Sequence, residues 1–306
     1  MNPERSFQPP EYLEINDPKQ RELLEFVRTV DLGEVASLLQ SRISTEKNAE
    51  IDLVPPERIF SKYVSGRVGR YILRPREIDF SLEDALRLAE RLGVDEKFLK
   101  THYLIHEQIH AASDTGCSDE TLLTRSFQVG SAKTTQIKGI GLTISGLCRL
   151  WDEGITEKLS REVFASYAVK TGMAKQKEID DYFTTIKKHT GQKRDCYSSE
   201  VKLVDAFIGR IAEETSLDPE TIWNSLVDSF LTGTQFDDQE ICKFAKEVLP
   251  ENFLEDLKAA SSHSTVERLT RELHRGKTNS FKSSSFIRKM RRMAEDYLES
   301  MGRTVS

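Results

Sequence analysis

Two histidines and a glutamate in the segment HEQIH are the side chains of this chain best suited to chemistry. His106 and His110 are four residues apart, so on a helix both imidazoles lie on one face and can bind a single metal ion. Glu107 lies one position further round the helix, where its carboxylate can take a proton from a water molecule on that metal. The motif therefore predicts two metal ligands and a general base.

The residues on either side of the motif favour a helix. No Gly or Pro occurs between residues 96 and 113, and apolar side chains recur there at helical spacing. These side chains are Phe98, Leu99, Leu104, Ile105, Ile109 and Ala112. His102 lies one turn before His106, and we interpret it as a cleft-lining or surface residue rather than a ligand. The alternative for the whole segment is a solvated helix that carries two histidines without a metal.

The segment WDEGITE, residues 151–157, supplies a second group of chemically capable side chains. Glu153 and Glu157 are four residues apart and so share one face of a helix. Two histidines and one carboxylate leave a fourth position open for water, as in catalytic zinc sites. A second carboxylate one turn away can hydrogen-bond the far nitrogen of a ligand histidine. Acidic pairs on helices are usually solvated, but Gly154 between these two indicates the close approach of another element.

Composition and charge narrow the class of protein. The chain has 306 residues, of which 38% are hydrophobic and 31% charged, and its net charge is −6. We expect a soluble globular protein without general affinity for nucleic acid or anionic lipid. No apolar run approaches the ~18–20 residues of a membrane span, and the first residues show no apolar core of a secretory signal. The four cysteines are widely spaced and form no CxxC pair, which indicates a reducing, cytoplasmic location.

The sequence as a whole predicts an α+β fold that is mostly helical, with a small antiparallel or mixed sheet. We interpret residues 1–50 as an arm and a helical cover, residues 51–235 as the catalytic domain, and residues 236–306 as a helical extension with a basic tail. The basic stretch 275–292 is typical of a solvated helix end and linker. Contact with nucleic acid or an acidic partner is the alternative for this stretch.

Strand signals occur at residues 54–60 and 69–80, which are rich in β-branched and aromatic side chains. Pro75 would place the second segment at a sheet edge or a bulge. An edge strand beside the HEQIH helix offers backbone groups to an extended peptide. Residues 125–130 and 135–144 predict a hairpin, which suits either a mobile flap over a cleft or a plain surface hairpin.

Helical patterns cover most of the remaining chain. The first helix begins at Pro18, with a possible break at Gly33. Ser81 is predicted to cap a helix that ends at Gly93. Further helices are predicted over residues 147–168, 179–189, 200–214, 219–231, 240–248, 253–260, 266–274 and 286–301.

The combination of HEQIH with WDEGITE resembles the gluzincin branch of the zinc metallopeptidases, which includes the thermolysin-like and aminopeptidase N-like enzymes. In those families an HExxH helix is followed by a helix bearing Asn-Glu, whose Glu is the third zinc ligand. The phrase EGITE also resembles a segment of uncharacterised bacterial HExxH proteins. The resemblance covers about residues 69–170. Asp152 stands where the named families have Asn, and the separation of the two motifs is longer than in the aminopeptidases.

Carried over to this sequence, the resemblance implies that His106, His110 and Glu153 bind one zinc ion and that Glu107 is the general base. Glu157 then corresponds to the acidic residue that supports a ligand histidine. If the helix register differs, Glu157 is instead the third ligand.

Enzymes of this type also use a hydrogen-bond donor to stabilise the oxyanion of the tetrahedral intermediate. Tyr197 is our choice for this role, because it lies at the start of a predicted helix, from which it can reach a cleft. Tyr182, Tyr167 and His189 are the alternatives.

These features predict a zincin-like metallopeptidase that uses one zinc ion to hydrolyse a peptide or protein substrate, with no membrane or nucleic-acid partner. The alternative is an inactive zincin-like module that binds a protein and uses zinc for stability. The intact Glu107 counts against that alternative, because a pure binder has no need of a general base. A third hypothesis, a regulator that binds nucleic acid through residues 275–292, is disfavoured by the acidic net charge.

Overall fold

A mostly helical α+β fold with a small mixed sheet confirms the predicted fold class. The computed structural model describes residues 17–43, 50–64, 67–72, 76–113, 119–121, 124–129, 132–137, 143–145, 149–189, 198–233 and 240–275. Two sheets and eleven α-helices lie within these ranges. The helices are α1 (Pro18–Arg28), α2 (Leu32–Gln40), α3 (Leu82–Leu92), α4 (Glu96–Ala112), α5 (Arg149–Lys170), α6 (Gln176–His189), α7 (Ser198–Thr215), α8 (Pro219–Leu231), α9 (Glu240–Val248), α10 (Phe253–Lys258) and α11 (His263–Arg275).

Side-chain caps account for several of the helix starts. Asp17, Asp31, Ser81, Asp95 and Asp218 each accept a hydrogen bond from a backbone N–H in the first turn of the helix that follows. The helix bounds therefore follow local sequence signals closely. The predicted helix over 286–301 lies outside the described residues.

The front of the chain differs from the prediction in the position of its break. The break lies between α1 and α2, where Asp31 accepts a hydrogen bond from the N–H of Glu34 and starts the second helix. Gly33 lies inside the first turn of α2, so a capping side chain rather than a glycine separates the two helices.

The first sheet has the strand order β1-β3-β2 and contains β1 (Ile59–Ser61), β2 (Gly69–Ile72) and β3 (Glu77–Phe80). β1 is parallel to β3, and β2 is antiparallel to it. The prediction of one edge strand over 69–80 was wrong, because the segment folds back on itself and Arg76 adopts a positive φ of 63° before β3. Within this segment β2 lies at an edge of the sheet and β3 lies in its centre, and Pro75 is outside the described residues.

The predicted strand over 54–60 is shorter in the structure. Pro56 begins a 3-10 turn, Pro56–Arg58, and the strand starts only at Ile59. Proline has no N–H for a sheet ladder and its fixed φ suits the first residue of a helical turn. Two adjacent prolines therefore delay the strand.

The second sheet is an antiparallel meander with the order β4-β5-β6-β7. Its strands are β4 (Asp119–Thr121), β5 (Thr124–Val129), β6 (Ala132–Ile137) and β7 (Thr143–Ser145). The pairing of Val129 with Ala132 confirms the predicted hairpin with a shorter connection than expected. The segment predicted as one strand over 135–144 is divided between β6 and β7.

One cluster of buried apolar side chains extends from Leu23 in α1 to Leu273 in α11. Helix α4 packs against α3, α5 and β2, and α5 packs against α7.

The division of the chain at residues 50 and 235 stays a prediction. Within the part of the chain that is described, no helix is both long and apolar enough to cross a membrane.

Gly154 lies at a close contact between α5 and α7. A Cβ at this position would lie 2.7 Å from the backbone oxygen of Glu200 and 3.0 Å from a methyl carbon of Val204. This contact confirms the close approach predicted from the sequence.

We expect Gly154→Ala to destabilise the protein by about 1–3 kcal/mol, because the added carbon meets backbone that cannot rotate away. Urea unfolding followed by circular dichroism measures this change. Gly209→Ala in α7 is the matched control, since a Cβ there meets nothing within 4 Å and should stabilise the helix by about 0.5–1 kcal/mol. Equal stability of Gly154→Ala and the unmodified protein would show that the helices are not in close contact.

Candidate metal centre

Helices α4 and α5 bring the two sequence motifs together. His106, His110 and Glu153 each offer one ligand atom, and these three atoms all lie within 4.8 Å of one another. Glu153 Oε2 is 3.5 Å from Nε2 of His106 and 3.3 Å from Nε2 of His110. The three residues therefore form a compact group that can hold a metal ion.

The burial of this group suits a ligand set. The side chains of His106, Glu153 and His110 are 4%, 10% and 16% exposed, so the centre opens towards solvent beside His110. Glu153 Oε2 is buried, and its contacts with the two ring nitrogens, at 3.3 Å and 3.5 Å, do not have hydrogen-bond geometry. A buried carboxylate oxygen without a well-formed hydrogen bond is costly, and a cation between the three side chains would remove that cost.

Glu157 contacts the other side of His106. Its Oε2 lies 3.1 Å from Nδ1 of His106, and an ionised carboxylate can only accept a hydrogen bond. Nδ1 of His106 therefore carries a proton, and Nε2 faces Glu153. The structure thus separates the two acidic residues of α5, with Glu153 between the histidines and Glu157 behind one of them.

Arg161 extends this chain of contacts by one residue. Its Nε and Nη2 atoms each lie 2.8 Å from Oε1 of Glu157. Arg161 belongs to neither sequence motif, although its position four residues after Glu157 is a visible signal for an ion pair on a helix.

Glu107 lies against the edge strand β2. Its Oε2 accepts a hydrogen bond of 2.7 Å from the backbone N–H of Tyr71. A Cβ at Gly69 would lie only 2.8 Å from Cγ of Glu107 and 3.0 Å from Oε1. The strand therefore holds this carboxylate through one backbone amide, and only glycine at position 69 leaves room for it. No sequence signal indicated either contact, because both depend on how the sheet packs on α4.

The hydrogen-bond pattern of β2 explains why Tyr71 is available to Glu107. The N–H of Ser81 donates to the carbonyl of Val68 at 2.8 Å, and bonded pairs alternate along an antiparallel ladder. Gly69 and Tyr71 are then the β2 residues whose backbone groups point away from β3. This outer side of β2 faces the carboxylate of Glu107.

His102 is a buried histidine that lies outside the ligand group, and its interpretation as a cleft-lining or surface residue was wrong. Its Nδ1 lies 3.2 Å from the hydroxyl of Tyr182 and its Nε2 lies 3.0 Å from Oγ of Ser160. Its ring stacks on Phe164 at 5.5 Å between centroids. Both ring nitrogens are engaged in the core, so His102 supports the packing of α4 rather than the metal group.

Burial and charge act against each other on the ionisable groups of the site. Burial lowers the pKa of His106, but the contacts with the carboxylates of Glu153 and Glu157 and the charge of Glu107 raise it to about 10. Burial raises the pKa of Glu153, but His110 and His106 lower it well below its usual range. For Glu157 burial again raises the pKa, and His102, His106 and Arg161 lower it to about 2. Burial lowers the pKa of His102 to about 4. Both glutamates are therefore carboxylates at neutral pH.

The candidates for oxyanion stabilisation are not brought to this site by the described contacts. Tyr197 lies outside the described residues, so its role stays a prediction. The hydroxyl of Tyr167 accepts a hydrogen bond from the N–H of Asp31, and the hydroxyl of Tyr182 contacts His102. His189 is exposed at the end of α6.

Comparison with known proteins gave no assignment. No protein-family model matches the chain, and neither a curated protein nor a solved structure is significantly similar to it. The functional interpretation therefore depends on the geometry of the site and on its sequence motifs.

Proposed function

We propose that this protein is a zinc-dependent metallopeptidase of the gluzincin type. The observation that carries the proposal is the convergence of two imidazole nitrogens and one carboxylate oxygen next to a second buried glutamate. Ligands and general base lie on adjacent elements, with His106, Glu107 and His110 on α4 and Glu153 on α5. This division of roles is what metal-assisted hydrolysis requires.

Zinc fits the donor set. Two histidines and one carboxylate are a common ligand set of catalytic zinc sites, which leave a further position for water. Two ligand atoms at 2.0–2.1 Å from a tetrahedral zinc ion are about 3.3 Å apart. The separations of 3.3 Å and 3.5 Å between Glu153 Oε2 and the histidine nitrogens agree with this value.

The mechanism assigns Glu107 the transfer of the proton. A bound zinc ion would lower the pKa of a water molecule and polarise the carbonyl of the peptide bond. Glu107 takes the proton of the attacking water and then gives it to the leaving amine. The N–H of Tyr71 holds Oε2 of Glu107, which keeps the carboxylate in place and leaves Oε1 to handle the proton.

We propose that the substrate is a peptide or an exposed protein segment that lies extended beside β2. The backbone groups of Gly69 and Tyr71 point away from β3, and this side of the strand faces Glu107. A peptide that lies extended along this side of the strand would pass the general base. We also propose a cytoplasmic location, supported by the widely spaced cysteines of the sequence.

The proposal is tested by digestion of a peptide library with the zinc-loaded protein, followed by mass spectrometry of the products. We expect cleavage that is lost on chelation and restored by zinc. Tight zinc binding without cleavage of any peptide would instead favour the zinc-stabilised binding module.

Metal binding should depend steeply on pH. The pKa of His106 is raised to about 10 in the metal-free protein, so below that pH a metal ion must displace a proton from Nε2. The apparent affinity should therefore fall about tenfold for each unit by which the pH is lowered from 8 to 6. Calorimetry in two buffers with different ionisation enthalpies measures the released proton directly. Binding without proton release would contradict a protonated His106 that contacts both Glu153 and Glu157 in the metal-free protein.

A further inference from the structure

Three side chains form a row along one face of α5. Glu153, Glu157 and Arg161 are spaced by four residues, so each lies one turn beyond the previous one. Glu153 lies between the two histidines, Glu157 contacts the far nitrogen of His106, and Arg161 contacts Glu157. The row thus connects the candidate metal centre to a positive charge two turns away.

The contact between Arg161 and Glu157 is not an ordinary surface ion pair. The side chain of Glu157 is 5% exposed and that of Arg161 is 28% exposed. The pair Glu83–Arg87 on α3 has the same spacing, but its side chains are 55% and 64% exposed, and exposed pairs of this kind contribute little. A buried carboxylate without a cationic partner is far more costly.

The geometry of the pair determines which oxygen faces the histidine. Both N–H groups of Arg161 converge on Oε1 of Glu157, and this leaves Oε2 for Nδ1 of His106. Two guanidinium donors on the same oxygen hold that oxygen in place better than a single ammonium does. The orientation of His106 therefore depends on Arg161 through Glu157.

We propose that Arg161 is a positioning residue of the metal centre, which fixes Glu157 so that His106 presents Nε2 to the ion. This inference rests on the metal-binding part of the proposed function and adds a residue to it. Arg161 contacts Glu157 and, among the described residues, none of the three ligand atoms. Its effect is therefore on metal affinity, and it can be measured without a known substrate.

The test compares zinc affinities of the full-length protein and its variants by competition with a chromophoric chelator. We expect Arg161→Ala to weaken zinc binding about tenfold, within the range typical for loss of an outer partner of a ligand. Arg161→Lys should fall between Arg161→Ala and the unmodified protein, because one ammonium keeps the charge but not the paired donors. This second variant also retains the ion pair if the alanine variant folds poorly.

Arg42→Ala is the matched control. Arg42 is 25% exposed and contacts Glu162, also on α5, at 2.9 Å. Its replacement removes an ion pair from the same helix without disturbing the row, so zinc affinity should change less than about twofold. A drop equal to that of Arg161→Ala would assign the effect to the general stability of α5 and overturn the inference.

A double-mutant cycle gives the readout that a merely structural arginine would not produce. If Arg161 acts through Glu157, then Arg161→Ala should have no further effect in a Glu157→Gln background. Additive losses, or zinc affinity unchanged by Arg161→Ala, would overturn the inference while leaving the proposed function intact. Failure of the unmodified protein to bind zinc would overturn the proposed function itself.

Discussion

Glu107→Gln should abolish peptide hydrolysis while the protein keeps its metal. A carboxamide cannot accept the proton of the attacking water, and loss of a general base lowers turnover by about 10²–10⁴-fold. Glu107 is not one of the three residues whose ligand atoms converge, so the metal content should stay at the level of the unmodified protein. The carbonyl oxygen of Gln can still accept the hydrogen bond from Tyr71 N–H, so the fold should be retained. Turnover and metal content measured on one preparation provide the test.

Gly69→Ala provides an independent test of the same role. Its Cβ would lie 2.8 Å from Cγ of Glu107, and the flexible carboxylate would move away from it. We expect reduced turnover with unchanged metal content, since the ligands are not touched. Full hydrolysis in Glu107→Gln would contradict Glu107 as the base, whatever the behaviour of Gly69→Ala.

Glu153→Ala should remove the metal, whereas Glu157→Ala should only weaken its binding. Glu153 supplies the carboxylate oxygen between the two histidines, so its loss leaves two ligands and an affinity lower by at least about 100-fold. Glu157 contacts only the far nitrogen of His106 among the converging groups, and the loss of such a partner costs about 10- to 100-fold. Competition with a chelator measures both affinities.

Thermal unfolding with and without zinc supplies a second readout for these variants. A metal that binds only the folded state stabilises it by about 2.7 kcal/mol at a concentration 100 times its Kd. We expect this stabilisation in the unmodified protein and its absence in Glu153→Ala. If Glu157→Ala lost the metal and Glu153→Ala kept it, then Glu157 would be the third ligand.

The parts of the site that the sequence predicted are those that depend on local geometry. His106 and His110 share a face because any helix places residues four apart together, and the same holds for Glu153 and Glu157. Helix starts were predictable because capping side chains such as Ser81 act within one turn. Gly154 indicated a close contact, because a glycine inside a helix is otherwise unfavourable.

The remaining features depend on which distant segments meet. The contact of Tyr71 with Glu107 needs the hairpin of β2 and β3 to pack on α4, and periodicity does not specify that packing. The burial of His102 likewise depends on Tyr182 and Ser160, which lie on two other helices. Such contacts join residues far apart in sequence, and their side-chain types alone carry no signal of the pairing.

The zinc content of the purified protein, measured by elemental analysis, tests the central claim most directly. With His106, His110 and Glu153 as ligands, we expect about one zinc ion per chain, and much less in a parallel preparation of Glu153→Ala. Absence of zinc from the unmodified protein, even after reconstitution, would contradict a metal centre and leave HEQIH as part of a packed helix.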